Sequence, residues 1–382
     1  MKVPSFDLKE QNQRLRDELM AAIEDVVLSG QFILGDVVAF FETQIAQLCE
    51  VKHGIGVGNG SAALYIALVA CGVGPGDEVI TTPFTFFATA GSIVRAGATP
   101  VFADIDLETF NIDPLDIEKK ITSRTKAILP VHLYGQSADM DPIMDIARKH
   151  GLKVIEDAAQ AIGASYRGRM VCNLGDVACL SFFPTKNLGA FGDAGMIVTS
   201  DDEIADKCRI LRVHGSRKKY HHEMLGINSR LDALQAKVLS VKLKYLEEWT
   251  ESRRRIAQRY TSGLSGTYAV KSGNLVLPKE MDGNRHVYHQ YTIRVKNRDD
   301  LQAYLKDKSI ASTVYYPLPL HLQKVFSDLG YKEGDFPNSE EASKTVLSLP
   351  MFPELKDDQV DYVVDAISAF SGFQIQSFYR NE

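Results

Sequence analysis

Short β-branched runs alternating with helical patterning constrain this chain more than any other feature. The runs are "DEVITTP" (77–83), "TPVFADID" (99–106), "TKAILPVHLYG" (125–135), "KVIEDAAQA" (153–161), "DVACLSFFP" (176–184) and "GMIVTSD" (195–201). Helical patterns such as "GSAALYIALVACGV" (60–73) and "ADMDPIMDIARKHG" (138–151) stand among them. Strands that are apolar along their whole length and separated by helices predict an α/β fold, with a mostly parallel sheet covered on both faces. From 229 to 260 the apolar positions Leu231, Leu234, Val238, Val241 and Tyr245 step by three and four, predicting one long amphipathic connecting helix. Beyond it, "HQYTIRV", "RDDLQAYLKDKSI" and "STVYYPLP" predict a β-α-β pattern. The expected division is a large domain over 1–250, N-terminal segment included, and a smaller C-terminal α/β domain over 251–382.

Composition removes several functional classes. A net charge of −6 argues against nucleic acid as the main partner, since phosphate backbones demand a basic face. No run reaches the roughly 18 apolar residues of a membrane span, and "MKVPSFDLKEQNQRLRDEL" lacks an apolar signal core. The five cysteines (Cys49, Cys71, Cys172, Cys179 and Cys208) are odd in number and lack CxxC spacing, so they read as core thiols rather than disulfides or metal ligands. These readings predict a soluble, cytoplasmic protein without a metal.

In a parallel α/β sheet, ligands gather at the carboxyl ends of the strands. Four features fall there. "GVGNGSAAL" places glycines at 56, 58 and 60 ahead of Ser61, either a plain turn or a helix N-terminus offering N–H groups to an anion. It is not a dinucleotide fingerprint, because the third glycine of GxGxxG is missing, and no GxxxxGK[ST] occurs. Asp157, beside Glu156, ends "KVIED" and serves either as a helix cap or as a buried carboxylate for a protonated ring nitrogen. Phe84, Phe86 and Phe87 crowd "TTPFTFFATA" and either pack in the core or stack on a planar ligand. Lys186, in "SFFPTKNLGAFGDAG", is either a surface lysine on a strand-end turn or a sheltered amine with a lowered pKa, free to form a Schiff base. An anion cradle, a stacking ring, a carboxylate for a pyridine nitrogen and an amine for an aldehyde together match pyridoxal 5′-phosphate.

These blocks also carry a resemblance. "NGSAAL", "GDEVITTPFTFFATA", "KAILPVHLYGQ", "VIEDAAQAIGA", "SFFPTKNLGAFGDAG", "RVHG", "GINSRLDALQA" and "VYYPLPLH" resemble the DegT/DnrJ/EryC1/StrS sugar aminotransferases, pyridoxal-phosphate enzymes of the aspartate-aminotransferase fold. The resemblance implies that Lys186 bonds the cofactor, that Asp157 partners the pyridine nitrogen, and that Gln160 lies near the phenolic oxygen with Phe86 on the ring. It also implies that Ser61, the Ala62 backbone and Ser181 hold the phosphate, with Asn228 reaching the phosphate of a neighbouring subunit in a homodimer. Glutamate would be the amino donor and a nucleotide-linked keto-deoxysugar the acceptor, with Tyr316, His321 and His214 as candidate substrate contacts. A lone histidine reads equally as a buried hydrogen-bonded residue.

Four positions depart from the family pattern: Ser61 for the usual Thr, Ala62 for Asp, Ile162 for His and Ala194 for Gly. None removes a cofactor contact. Members that aminate C4 commonly carry histidine after Ser-Phe, where this chain has Phe183, and threonines after the lysine, where it has "NLGAFGDAG"; the variant resembles members that aminate C3. The intact lysine argues against the dehydrating branch, whose lysine is replaced by histidine. A non-enzymatic regulatory or sensor protein on the same scaffold and a 4-amino sugar-forming transaminase are the remaining alternatives.

Overall fold

Seven strands build the main sheet of the computed structural model, which describes residues 1–373. They are β1 (His53–Val57), β2 (Glu78–Thr81), β3 (Thr99–Phe102), β4 (Thr125–Leu129), β5 (Lys153–Asp157), β6 (Val177–Ser181) and β7 (Gly195–Thr199), in the order β1-β7-β6-β5-β4-β2-β3. The pairs β2–β3, β2–β4, β4–β5 and β5–β6 are parallel; only β7 runs against its neighbours β6 and β1. The expected mostly parallel α/β sheet is therefore present. β1 is the strand that patterning leaves unread, because two glycines in "HGIGV" break the apolar run.

Alternation along the strands assigns the two faces. Ile80, Ile128, Val154 and Val198 join one core with Phe41, Ile45, Leu231 and Leu239. Their neighbours Val79, Ile155 and Ile197 join the other, with Ile66, Leu68, Ile93 and Ile204. Both faces are covered by helices, which is why these strands carry no polar face. The five cysteines are free and buried, as expected of core thiols.

The expected single helix over 229–260 is two: α1 (Ala233–Leu243) and α2 (Leu246–Ser265), parted at Lys244 and Tyr245. Both linking residues keep right-handed helical backbone angles, so the three-and-four spacing carries across the break unchanged. The helices serve different cores. α1 packs on the main sheet's side through Ala236 and Leu239, whereas Ile256, Ala257, Tyr260 and Leu264 of α2 belong to a second core. That second core surrounds a three-stranded antiparallel sheet of β8 (Leu275–Val276), β9 (Tyr291–Val295) and β10 (Val346–Leu349). "STVYYPLP" is not the expected strand; Thr313 makes one isolated bridge to Ser348, and Pro317 and Pro319 have no N–H to extend a ladder. Val3 and Phe6, from the start of the chain, also pack into this second core.

The connectivity brings five loops to one edge of the main sheet. Those after β1, β2, β4, β5 and β6 all leave from carboxyl ends of mutually parallel strands, so the four sequence features meet there.

Candidate active site

Asp157 closes β5 at 4% exposure. The Thr89 hydroxyl donates to its Oδ2 (2.9 Å) and the Ala159 N–H to its Oδ1 (3.2 Å). Burial pushes its carboxyl pKa up, while the two donors and the Lys186 charge pull it back. Its neighbour Glu156 points to the opposite face, as strand alternation requires. There it is fully buried and accepts from His132 Nε2 (2.9 Å) and from the backbone N–H groups of Cys172, Leu174 and Gly175. Ala138 N–H donates to His132 Nδ1 (3.0 Å), so the imidazole carries its hydrogen on Nε2 and the pair is structural.

Lys186 sits in the turn after β6, its N–H donating to the Phe183 carbonyl (2.8 Å). Burial pushes its amine down from 10.5 to about 8, against the opposing pull of Asp157. The lysine is thus a sheltered amine facing a buried carboxylate, not a solvated surface residue. Gln160 is held by Tyr134, whose backbone N–H donates to its Oε1 (2.8 Å); its Nε2 donates to the Tyr316 hydroxyl (3.2 Å). The Tyr316 ring lies 6.2 Å from Phe86 and 6.3 Å from Phe84. Phe84 is fully buried while Phe86 is 57% exposed, so of the two only Phe86 offers an open face.

The anion end follows from close approach of backbones. A helix over Gly60–Ala70 begins where Asn59 Oδ1 accepts from Ala62 N–H (2.8 Å). The Ala62 backbone is therefore spent on the cap, and Gly60 and Ser61 are the helix-start donors left open. A Cβ on Gly60 would lie 2.8 Å from that of Ser181, so glycine is what lets the helix start reach the end of β6. The exposed hydroxyl of Ser61 stands at the same terminus. A helix N-terminus beside two serine hydroxyls, an open aromatic face, a buried carboxylate and a low-pKa lysine fit pyridoxal phosphate in chemistry and placement.

Other candidates fall elsewhere. His321 is 2% exposed, its Nε2 3.1 Å from Glu340 Oε1 and its ring against Phe336. Its Nε2 is thus engaged, while its Nδ1 is buried without a hydrogen-bond partner among the described residues. His214 and Asn228 are exposed and flank a hairpin of Ser216–Lys218 and His221–His222. Ser229, next to Asn228, takes the Gly58 N–H (3.0 Å), tying this segment to the end of β1.

Sequence reasoning did not find His289, Asn187 or Tyr134. His289 Nδ1 lies 3.1 Å from Asn187 Oδ1, and burial with the nearby Lys186 charge keeps its ring neutral. Asn187 follows Lys186 directly, and its Nδ2 donates to the Val287 carbonyl (3.1 Å), a contact 100 residues away that no local pattern announces.

Comparison with known proteins agrees with this geometry. Residues 13–368 match the DegT/DnrJ/EryC1/StrS aminotransferase family. A protein of Geobacillus stearothermophilus named pleiotropic regulatory protein is 62% identical, over 97% of this chain and 99% of its own. The UDP-N-acetyl-3-dehydro-alpha-D-glucosamine 3-aminotransferase of Acidithiobacillus ferrooxidans is 46% identical, over 96% and 97%. The crystal structure of S. venezuelae DesV in complex with a ketimine intermediate superposes with a TM-score of 0.93 at 44% identity, covering 96% of this chain and 98% of that one. With the lysine, carboxylate and helix-start cradle assembled at one sheet edge, the chain belongs to the DegT/DnrJ/EryC1/StrS aminotransferase family.

Proposed function

We propose that this enzyme uses pyridoxal 5′-phosphate to move an amino group from glutamate to C3 of a nucleotide-linked keto-deoxysugar. The observation that carries the reading is the convergence of Lys186, from the turn after β6, with Asp157 and Gln160, from the end of β5 and the loop that follows it, with the lysine amine brought to about 8 by burial. When bound, the cofactor supplies an electron-accepting ring that eases proton removal from the donor's Cα. Lys186 holds the cofactor and then carries that proton on Nζ; an amine with a pKa near neutrality both accepts and returns it. Asp157 keeps the ring nitrogen protonated, held by Thr89 and Ala159 in one orientation. Gln160 and Phe86 would hold the ring, the first through its side-chain amide and the second through its open aromatic face. Gly60, Ser61 and Ser181 bind the phosphate, and Tyr316 and His214 are the contacts offered to the sugar nucleotide. Asn228, exposed beside the hairpin, completes the phosphate site of a second subunit in a homodimer.

Regiochemistry rests on Phe183 and "NLGAFGDAG" flanking the reactive amine, and on the A. ferrooxidans relative, whose name specifies a 3-aminotransferase. A displacement of ~1 Å in such a site changes rates about a hundredfold, so one carbon of the sugar should dominate. The test offers matched 3-keto and 4-keto sugar nucleotides with glutamate, follows 2-oxoglutarate, and locates the new C–N bond by NMR. Amination at C4 alone overturns the C3 assignment; no 2-oxoglutarate with any ketosugar overturns the enzymatic reading. The second outcome would favour the regulatory role named for the G. stearothermophilus relative.

A further inference from the structure

Two buried cations, one of them in contact with the reactive turn, are not needed for any step above. Lys242, on α1, is fully buried, and Arg253, on α2, is 2% exposed. Neither has a carboxylate within ion-pair distance among the described residues. Glu354 is the acidic group both sense; it is itself pushed upwards by burial and accepts from Gln11 Nε2 (3.2 Å). Arg253 donates to the backbone carbonyls of Tyr288 (3.3 Å) and Met351 (3.1 Å). A lysine buried against a neutral partner is a poor stabiliser, since apolar residues of similar volume often serve as well or better. What Lys242 touches explains it better.

Its Nζ donates to the Gly189 carbonyl (2.8 Å) and stands 4.7 Å over the Phe191 ring. Gly189 lies three residues after Lys186, where a Cβ would overlap the Pro184 carbonyl, so the turn is closed on itself. Ala190 N–H donates to Phe182 (2.8 Å), bringing the chain back to the end of the strand. Gln235, seven residues before Lys242 and so on the same face of α1, pairs with Phe191 through both its backbone groups (2.8 and 3.3 Å). On the opposite side, Asn187 is held by Val287 and His289. The turn is thus braced from one side by α1 and from the other by the segment entering β9. Lys242 is the deepest member of the α1 brace.

We propose that Lys242 is a positioning residue: by holding the Gly189 carbonyl, it fixes the turn that aims the Lys186 amine. The proposal rests on Lys186 being the reactive amine, and the experiment separates the two. Wild type, K242M and K242R are loaded with pyridoxal 5′-phosphate, reduced with borohydride at timed intervals, and mapped by peptide mass spectrometry alongside steady-state kinetics. In wild type the label falls on Lys186. In K242M, labelling of Lys186 and kcat both fall at least about tenfold while KM for glutamate stays within about threefold, as expected of a misplaced amine. K242R, which keeps the charge and the donor, recovers both to within about threefold of wild type. A wild-type label elsewhere than Lys186 overturns the reading of the reactive amine and the proposal with it. Label on Lys186 with K242M within about twofold of wild type overturns the proposal alone, and so does a K242R as impaired as K242M, since the loss is then one of packing. Should K242M not fold, K242L, which likewise removes the donor, replaces it under the same outcomes.

Discussion

At the scale of single residues, the amine of Lys186 makes a prediction with a sign. Its pKa is lowered from 10.5 to about 8 by burial, so between those values the unfolded chain binds more protons than the folded one. Stability of the cofactor-free protein therefore rises with pH across that window. Below about pH 8 the folded chain carries the full cost of the sheltered charge, of order 1–3 kcal/mol. Lys186→Met is expected to be more stable than wild type at pH 7 without cofactor, and the difference to shrink as pH rises from about 8 to 10; urea denaturation at each pH measures it. The same variant has no transaminase activity. Asp157→Asn tests the carboxylate: an amide satisfies Thr89 but carries no charge for the ring nitrogen. Loss of a charged hydrogen bond of about 1.5–3 kcal/mol corresponds to a fall in kcat of roughly tenfold or more, with cofactor still bound. Stopped-flow rates with glutamate alone check this, and near-wild-type rates would remove Asp157 from the chemistry. These two residues were legible in the sequence because each stands at the carboxyl end of a β-branched run. His289 and Tyr134 were not, since their roles depend on partners from distant loops.

At the scale of elements, the start of the helix at Gly60 is a position where two effects oppose each other. Glycine to alanine inside a helix gains roughly 0.5–1 kcal/mol. Here, however, the new methyl would stand 2.8 Å from Ser181 Cβ, and overpacking of that kind costs about 1–3 kcal/mol. Gly60→Ala is therefore expected to be destabilised by about 1 kcal/mol net and to release cofactor faster. Gly74→Ala, where a Cβ meets nothing within 4 Å, is the control that leaves both unchanged. Equal midpoints for the two variants in denaturant would show that the close approach is relaxed in solution. The split of the predicted 229–260 helix into α1 and α2 teaches the complementary lesson. Periodicity reports which face is apolar, not which core that face meets, and Lys244 and Tyr245 keep the period while the helices part. "STVYYPLP" misleads for a related reason: β-branched and aromatic residues mark a half-buried surface, and its prolines leave it as a wall of the site beside Phe84 and Phe86.

At the scale of the whole molecule, a row of apolar side chains near the N-terminus stands exposed among the described residues: Leu28 is 80% exposed and Phe40 61%, with Phe32 and Ile33 between them. Contiguous exposed apolar groups of this kind mark an association surface. The solution mass by light scattering is expected to be twice the 42.3 kDa of one chain, and Phe40→Glu to raise the dimer dissociation constant at least about tenfold. A monomer at micromolar concentration would leave Asn228 without a second site to complete. What the sequence determined by itself was everything carried by local chemistry: the strand runs, their mostly parallel pairing, and the residue types (lysine, carboxylate, glycine-led helix start) that loops at strand ends can present. Tertiary structure alone decided which of those residues meet. It sent Glu156 to a structural histidine and Asp157 to the site, buried His321 against Glu340, and drew Gln160 and Tyr316 together across 156 positions of chain. The reason is that strand alternation and loop closure fix orientation and neighbours only once the whole sheet is assembled, and no window of sequence contains them.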